Sequence, residues 1–520
     1  MRIFSTILLL CFLTACASPT ATPPTPTPVI PTSTIPAPAL TGQWIGAATK
    51  PDGTTASIQV TLADSDSESK LNIEPFTHLW KLMLEQNNEA VHFTATSKVD
   101  EPFQEIEFTG TFVNGIFSGE LNWDGTASAI TFTPIASVDK TLLEKYEGVY
   151  RFESGRALSI IVSPEYSSDG LYFFSQTLML TDFDSGALRG LYPLNNTTFA
   201  VGVLRVAGAP FAGKVQFFTD TQGNVTSLKW WGDVKADDDG QAAKRVQYNK
   251  EEITFTSKDG IKLAGLLSLP ESNTPVPAFM GLHGSEPGTR DNFGAKVMAH
   301  YMISRGFAIL SYDKRGVGDS EGVYQEAASD SNLHKHADDA TAGVAYLASR
   351  PEIDAKRIGL IGGSQAGWVI PIAASQSEQV SYFVILSGPV TSTFQEDVFS
   401  SYTNDGETVT QYDDAKITQK LRGMNPGGFN PIPILAELKQ PGLWLWGSVD
   451  KNQPVTFDAE NLQTLIDSGK DIFSYEIFPN GDHNLNSSPH GLFDEIPYSP
   501  HVLFYSALTK WLKTNMSKEK

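Results

Sequence analysis

Three residues of this 520-residue chain, Ser364, Asp450 and His483, follow one another in the order of a nucleophile, an orienting acid and a general base. A serine hydroxyl is a poor nucleophile at neutral pH, so it needs a base within hydrogen-bond reach and a third group that orients the base. Ser364 follows Gly362-Gly363 at the end of an apolar run, and small residues open a helical pattern after it. This pattern predicts a nucleophile elbow, a sharp strand-to-helix turn that leaves the serine hydroxyl exposed.

The elbow departs from the usual Gly-x-Ser-x-Gly pattern at its last position, where Ala366 stands before Gly367. A Gly-Gly-Ser turn ahead of a helix also occurs for purely structural reasons. The residues that could act with Ser364 therefore decide between a catalytic and a structural turn.

The base is best supplied by His483, which lies in a turn after the apolar strand pattern at 472–477. A loop histidine after a late strand is where this order of residues places the base. Two other histidines follow Ser364, but His490 lies in a Ser/Pro-rich loop and His501 at a helix start. The alternative for His483 is a surface loop histidine without a catalytic role.

Asp450 is the favoured acid, because it lies just beyond the strand pattern at 442–446 and a glycine. The stretch between Asp450 and His483 has room for one helix and one strand. Asp482 is the alternative, but neighbouring residues on an extended turn point apart. The sequence thus predicts a triad of Ser364, His483 and Asp450.

Two backbone N–H groups are expected to hold the oxyanion of the tetrahedral intermediate. The elbow presents the N–H of Gln365, and the glycine-rich loop at 281–288 is expected to present that of Ser285. His283 and Gly284 would border the substrate in the same loop, with the His283 ring interpreted as structural rather than catalytic. The loop at 312–320, which contains Asp313 and Arg315, is interpreted as scaffold beneath the site.

The elements that position these residues follow from the pattern after Glu252. Continuous apolar strands at 278–282, 307–312, 382–386 and 442–446 alternate with helical patterns near 295–304 and 337–349. Such alternation predicts an α/β fold whose parallel sheet is covered on both faces. Ligands of these sheets bind at the carboxyl ends of the strands, which is where Ser364 lies.

The residues from about 249 to 520 resemble an α/β-hydrolase of the serine aminopeptidase and dienelactone-hydrolase-like branch. The resemblance rests on the motifs described above: His283-Gly284-Ser285, Asp313-x-Arg315-Gly316-x-Gly318-x-Ser320, Gly362-x-Ser364-x-Ala366-Gly367, Asp450 and Gly481-Asp482-His483. It implies a mostly parallel eight-stranded sheet with helices on both faces, hydrolysis through an acyl-enzyme and no cofactor. The family includes esterases, thioesterases and peptidases, so the resemblance leaves the substrate open.

A polar, loop-rich stretch at about 389–434 falls where this fold commonly inserts a cap. Phe394, Phe399 and Phe429 are candidates for an acyl-binding wall. They could equally form the small core of the cap itself.

Two small β-rich domains, at 41–136 and 137–248, are expected ahead of the hydrolase. Alternation at 57–62, the hairpin signal Asn114-Gly115 and strand patterns at 148–150, 171–174 and 215–218 support them. Their tryptophans could form a sugar-binding face, but a role in the core is favoured: Trp44, Trp123, Trp230 and Trp231. The hydrolase is expected to have a self-contained core without them.

The N-terminus has the pattern of an export signal. Residues 1–15 combine Arg2 with an apolar run, and Leu13-Thr14-Ala15-Cys16 resembles a bacterial lipobox, which implies cleavage and lipidation at Cys16. The alternative is an ordinary secretory signal. The proline-rich stretch at 16–40 predicts an extended tether. Because Cys11 would leave with the signal, no disulfide, cysteine metal site or cysteine nucleophile is expected.

The net charge of −21 and the pI of about 4.8 argue against nucleic acid as a partner and against an electrostatic membrane grip. His334-Lys335-His336 before Asp338-Asp339 could suggest a metal, but histidines two apart diverge on a helix. A solvated helix start is favoured there, and no metal or other cofactor is expected.

Together these features predict a lipid-anchored serine carboxylesterase on the extracytoplasmic side of the bacterial envelope, acting on a small-molecule ester. A peptidase of the prolyl-oligopeptidase or aminopeptidase kind is the enzyme alternative, although residues 41–247 lack the repeated blades of a propeller. A non-catalytic, glycan-binding surface protein is the alternative of another class. The sequence leaves the oligomeric state open.

Overall fold

A computed structural model describes residues 40–53, 55–62, 69–73, 80–96, 105–162, 178–202, 213–232, 239–408, 410, 412–488, 491 and 502–516. The signal, Cys16, almost all of the tether, the strand pattern at 171–174, His490 and His501 lie outside these residues. None of the helices in the described part of the chain has the length and apolarity needed to cross a bilayer.

Eight antiparallel strands form a first closed barrel, with β1 paired to β8. They are β1 (Gly42–Thr49), β2 (Thr55–Leu62), β3 (Lys70–Ile73), β4 (Trp80–Asn87), β5 (Ala90–Thr96), β6 (Glu105–Val113), β7 (Ile116–Trp123) and β8 (Thr126–Pro134). In β5, apolar side chains point inward and polar ones outward, as period-two alternation dictates. Asn114-Gly115 joins β6 to β7 with positive φ at both residues, which confirms the predicted hairpin.

A second closed barrel follows the helix α1 (Lys140–Tyr146). Its strands are β9 (Gly148–Phe152), β10 (Ala157–Val162), β11 (Leu178–Asp182), β12 (Leu188–Pro193), β13 (Thr198–Gly202), β14 (Gly213–Thr219), β15 (Val225–Trp231) and β16 (Gln241–Arg245). The four tryptophans considered for a sugar-binding face are all buried. The interpretation of these rings as core is therefore confirmed, and the sugar-binding face is wrong.

The rest of the chain builds an eight-stranded sheet in the order β17-β18-β20-β19-β21-β22-β23-β24. The strands are β17 (Tyr248–Thr256), β18 (Lys262–Pro270), β19 (Val276–Leu282), β20 (Ala308–Tyr312), β21 (Ile353–Gly363), β22 (Val380–Leu386), β23 (Gly442–Gly447) and β24 (Phe473–Phe478). From β20 to β24 the neighbours are parallel, whereas β17 and β18 are antiparallel. The predicted α/β class is confirmed.

Helices pack on both faces of this sheet, because central strands such as β20 and β23 are buried along their whole length. The described residues of this part of the chain form eight α-helices. They are α2 (Phe293–Ser304), α3 (Asp330–Ala348), α4 (Ala366–Gln376), α5 (Thr393–Thr403), α6 (Asp414–Arg422), α7 (Ile432–Glu437), α8 (Val455–Asp467) and α9 (Phe504–Met516). One apolar cluster joins the sheet to α3, α4 and α8, and another joins it to α2 and α9.

The core of the α/β domain is not self-contained, contrary to the prediction. Val149, Ala157 and Phe183 of the second barrel belong to the same buried cluster as Tyr301 of α2 and Tyr505 of α9. The Phe183 ring lies 5.4 Å from that of Tyr301 and 4.9 Å from that of Tyr505, centroid to centroid. The second barrel therefore completes one side of the core of the α/β domain.

The stretch predicted as a loop-rich cap contains the three helices α5, α6 and α7. N-cap side chains explain where α5 and α6 begin. Ser392 accepts a hydrogen bond from the N–H of Gln395, and Asp413 accepts one from the N–H of Lys416. Phe399 packs with Ile417, Leu421 and Phe457 in a small core of its own.

Candidate active site

Ser364 occupies the turn between β21 and α4 with a φ of 52°. A left-handed conformation is unfavourable for a residue with a side chain, typically by about 1–3 kcal/mol, and persists where the surroundings enforce it. Here the Ser364 N–H donates to the Leu386 carbonyl of the next strand, and its carbonyl accepts from the N–H of Gly367. The half-buried serine is thus held on a sharp corner at the carboxyl end of β21.

The Ala366 departure from the usual motif has a steric explanation. A Cβ on Gly362 would lie 2.7 Å from the Cβ of Ala366, so the glycine provides the space that the alanine methyl occupies. A Cβ on Gly367 would lie 2.5 Å from Pro389 Cδ and 2.8 Å from the carbonyl carbon of Gly388. The close approach to the following loop therefore requires glycine at 367 but tolerates alanine at 366.

Asp450 and His483 are brought together by the loops that follow β23 and β24. The Nδ1 atom of His483 lies 3.0 Å from Oδ1 and 2.9 Å from Oδ2 of Asp450. The Asp450 carboxylate is fully buried, and the N–H groups of Asn452 and Gln453 donate to its Oδ1 atom at 2.8 and 3.0 Å. Since Nδ1 faces the carboxylate, the Nε2 atom of His483 is the nitrogen available to a nucleophile.

Asp482, the alternative acid, is engaged elsewhere. Its carboxylate accepts hydrogen bonds from the N–H groups of Asn484 and Asn486 at 2.9 and 2.8 Å and so shapes the turn that carries His483. The adjacent side chains of Asp482 and His483 therefore have different hydrogen-bond partners.

The protonated form of His483 is favoured by its neighbours. Burial alone would lower the pKa of His483, but the carboxylates of Asp450, Asp482 and Glu396 outweigh it and raise the pKa above the ordinary histidine value. A base that must accept and then return a proton benefits from carboxylates that stabilise its imidazolium form.

The loop after β19 lies against the nucleophile. A Cβ on Gly284 would be 3.2 Å from the Cβ of Ser364, so the loop backbone touches the elbow. The N–H groups of Ser285 and Gln365 have no hydrogen-bond partner among the described residues. His283 is an anchor of this loop, because its Nε2 atom lies 2.6 Å from the Tyr312 carbonyl oxygen and its ring packs against Gly288.

Lys314 is a residue of this site whose role the sequence did not reveal. It is 1% exposed, and its Nζ atom donates to the carbonyls of Gly284 at 2.6 Å and Ser285 at 3.3 Å and to Oε1 of Gln365 at 3.3 Å. The only signal in the sequence is a lysine directly after an apolar strand, between Asp313 and Arg315.

Asp313 and Arg315 hold the loop beneath the site, but through separate partners. Asp313 accepts hydrogen bonds from the backbone and guanidinium of Arg290, and Arg315 makes a two-point contact with the buried carboxylate of Asp339. A Cβ on Gly318 would collide with the Asp313 carboxylate at 2.2 Å. The loop is therefore a rigid support.

The three phenylalanines proposed for an acyl-binding wall lie in different surroundings. Phe394 is 48% exposed, Phe399 lies in the cap core, and Phe429 packs into the main hydrolase cluster. This packing favours a core role for Phe399 and Phe429 and leaves Phe394 as the one side chain able to meet a ligand.

Two acidic residues near the site were not anticipated from the sequence. Asp458 of α8 is fully buried and accepts hydrogen bonds from the N–H of Val390 and the hydroxyl of Thr391, and burial raises its pKa to about 7. Burial likewise raises the pKa of half-buried Glu396, on the cap helix α5, to about 8. The hydrogen-bond partners of Asp458 lie 68 and 67 residues away in sequence, and Glu396 is distinguished by its burial, so only the fold identifies these two residues.

The described residues contain no cluster of three or more metal-ligating side chains. The two histidines of α3 diverge, as expected for residues two apart on a helix. His334 is exposed, in line with the predicted solvated face. His336 is buried, contrary to that prediction, and burial lowers its pKa.

Comparisons with known proteins place this geometry among hydrolases. Residues 294–498 match the model of the prolyl oligopeptidase family. The uncharacterized peptidase YuxL of Bacillus subtilis is 26% identical over 252 residues, which cover 46% of this chain and 36% of that protein. The thiohydrolase aneE of Aspergillus aculeatus is 29% identical over 147 residues, which cover 28% of this chain and 44% of that protein. The chain thus spans less than half the length of these two relatives.

Among solved structures, an esterase of Pyrococcus furiosus is similar, with a TM-score of 0.37, 21% identity and coverage of 52% of this chain and 92% of that one. The family match and the relatives support a serine hydrolase of α/β fold.

Proposed function

We propose that this chain hydrolyses carboxylic esters through Ser364, His483 and Asp450 by way of an acyl-enzyme. The observation that carries the proposal is the hydrogen-bonded pair of Asp450 and His483 at the same sheet edge as a serine held at a φ of 52°. All three residues follow the carboxyl ends of parallel strands, where ligands of such sheets bind.

In the proposed reaction, the Oγ atom of Ser364 attacks the acyl carbon while Nε2 of His483 accepts its proton. The N–H groups of Gln365 and Ser285 stabilise the oxyanion, and Asp450 stabilises the imidazolium. His483 then returns the proton to the leaving alkoxide. Water repeats the sequence on the acyl-enzyme and releases the acid.

A serine peptidase is the second candidate, and the match to the prolyl oligopeptidase family favours it specifically. The motifs at 283–285 and 313–320 resemble the serine aminopeptidase and dienelactone-hydrolase-like branch, which includes both esterases and peptidases and so does not decide between the two activities. The two activities share the triad and differ in the leaving group, an alkoxide or an amine, so substrate pairs with a common acyl group separate them.

We further propose that the enzyme is exported and held at the extracytoplasmic side of the bacterial envelope by a lipid on Cys16. The proline-rich stretch at 16–40 would then space the folded part from the membrane. A Cys16→Ser variant that still partitions with membranes would contradict the anchor.

The decisive experiment combines a fluorophosphonate probe with hydrolysis of matched substrates by wild type and Ser364→Ala. We expect labelling to disappear in the variant and turnover to fall by about 10⁴-fold or more, because the members of a triad act as a unit. The matched control is Ser375→Ala, whose hydroxyl donates within α4 to the Ile372 carbonyl; its labelling should equal that of wild type.

The substrates are p-nitrophenyl esters from acetate to palmitate and one aminoacyl anilide. Cleavage of the esters without the anilide supports the esterase, whereas anilide cleavage supports the peptidase. A folded wild type that neither reacts with the probe nor cleaves any substrate would contradict both and return attention to the binding alternative.

A further inference from the structure

We propose that Lys314 is a positioning residue that aims both N–H groups of the oxyanion hole, an inference that rests on the proposed function of Ser364. Its ammonium contacts the two segments that supply these donors: the loop that contains Gly284 and Ser285, and the side chain of Gln365. No other described side chain donates to both segments.

The first step is geometric. In a trans peptide the C=O and the following N–H point in opposite directions. The hydrogen bond from Lys314 to the Gly284 carbonyl, at 2.6 Å, therefore turns the Ser285 N–H away from the lysine. Gly284 itself lies against Ser364, so this peptide plane is fixed next to the nucleophile.

The second step concerns the other donor. The Gln365 side chain is 4% exposed, and it bridges Lys314 to the Glu326 carbonyl, to which its Nε2 atom donates at 2.9 Å. This bridge fixes the residue whose own N–H faces the oxyanion. The Tyr324 hydroxyl donates to the Ser285 carbonyl at 2.5 Å and supports the same loop from another side.

The third step concerns the energy. An ammonium has three donors, and Lys314 uses them on the buried Gly284 carbonyl, the buried Oε1 atom of Gln365 and the partly buried Ser285 carbonyl. Its removal would leave the buried Gly284 carbonyl without a partner among the described residues. Such a peptide gains by turning toward water, and the Ser285 N–H would turn with it. A charged donor also polarises the peptide and strengthens its N–H as a donor to the oxyanion.

The protonation state of Lys314 should give activity a pH dependence that a purely structural residue would not produce. Burial lowers the pKa of Lys314 to about 8, and the carboxylates of Glu286 and Glu326 oppose this shift. Among the neighbouring groups, burial raises the pKa of Tyr324 and lowers that of His336, so neither of these two titrates near pH 8. Activity should therefore fall above pH 8 as the ammonium loses its charge.

The test measures kcat and KM for p-nitrophenyl acetate from pH 5 to 10 in wild type, Lys314→Met and Lys314→Arg. We expect kcat of Lys314→Met to fall by about 100-fold with KM within about threefold, because loss of a single oxyanion donor costs about 10²–10³-fold. The alkaline decline should vanish in Lys314→Met and shift to higher pH in Lys314→Arg, which restores part of the rate. Lys470→Met is the matched control, since Lys470 donates to the Leu438 carbonyl, far from the loop, and should behave as wild type.

Glu396, whose pKa is raised to about 8, could produce the same alkaline decline. If the decline persists in Lys314→Met and disappears in Glu396→Gln, the proposal is overturned. Should Lys314→Met not fold, the wild-type and Glu396→Gln profiles carry the test: a decline that is absent, or that depends on Glu396, overturns it as well.

Ser364→Ala in the same series separates the two proposals. An inactive Ser364→Ala beside a Lys314→Met with wild-type kcat overturns the role of Lys314 alone. Wild-type turnover by Ser364→Ala overturns the proposed function and the positioning role together.

Discussion

The two β-barrels share a strand count but differ in what covers their outer walls. The first barrel has an apolar interior of its own and contacts the second barrel through a small group around Ile45, Tyr192 and Ala200. The second barrel has its own interior and also contributes Phe183 to the hydrolase core.

Polar contacts reinforce the same difference. His300 of α2 lies between the Ser159 hydroxyl of β10, 2.7 Å from Nδ1, and the Tyr248 hydroxyl of β17, 3.0 Å from Nε2. Arg151 of β9 donates to the Ser304 carbonyl at the end of α2. The second barrel and the hydrolase domain therefore form one structural unit. The first barrel is attached to that unit.

The strand sequences explain why the two barrels differ. In β6 every second residue is polar and exposed, so one face of the strand meets water. In β11 and β12 all residues are buried, which requires a covering on the outer face. A strand without a polar face signals a docking surface.

The largest predicted effect comes from truncation. A chain of residues 137–520 should keep the oligomeric state of the full chain and unfold cooperatively, because it loses only the first barrel. A chain of residues 249–520 should aggregate, because the apolar side chains of α2 and α9 that pack against Phe183 would be exposed. Size-exclusion chromatography and thermal unfolding of both chains check this, and a monomeric, cooperatively folded 249–520 chain would show that the hydrolase core is independent after all.

Much of the fold could be predicted because it depends on local patterns. Asn114-Gly115 specifies its hairpin, and the apolar strands with their intervening helices specify the α/β class. The elbow could also be predicted, because its glycine-flanked serine before a helix is a local pattern, although the contact that requires glycine at 367 comes from Gly388 and Pro389 in a later loop.

What could not be predicted depends on partners far away in sequence. Period two at 57–62 indicates a strand with one exposed face, yet Ser57 and Gln59 are buried where β2 meets the second barrel. From the sequence, Lys314 is interpreted only as part of the supporting loop at 312–320, because its hydrogen-bond acceptors lie about 30 and 50 residues away on separate loops. The polar stretch at 389–434 gives no signal for its three helices. The apolar residues of α5 and α6 pack mainly on one another and on α8, whereas Leu435 of α7 packs into the main cluster of the sheet.

A pair of matched core substitutions should produce the next largest effect. Phe93 and Phe183 are both about 1% exposed, so replacement by alanine should cost about 3–5 kcal/mol at either site. Phe183→Ala should accelerate hydrogen exchange in α2 and α9 as well as in the second barrel. Phe93→Ala should accelerate it in the first barrel alone. Faster exchange of α2 in Phe93→Ala would mean that the two barrels unfold together, contrary to the comparison.

The smallest predicted effect is a pH dependence of stability, which is expected for the second barrel but not for the first. Burial lowers the pKa of His300 to about 3, with Lys250, Lys296 and Arg245 acting in the same direction and Glu147 opposing. Between pH 3 and about 6.5 the unfolded chain binds a proton that folded His300 does not, so the free energy of unfolding falls by about 1.4 kcal/mol per unit as the pH drops through this window. The second barrel and the hydrolase are expected to unfold together in urea. Their free energy of unfolding should therefore fall by about 2 kcal/mol more between pH 7 and pH 5 in wild type than in His300→Gln. As an internal control, the transition of the first barrel should keep the wild-type slope in His300→Gln. Equal slopes in wild type and His300→Gln would show that α2 and the second barrel separate before His300 is protonated, which would make both barrels attachments.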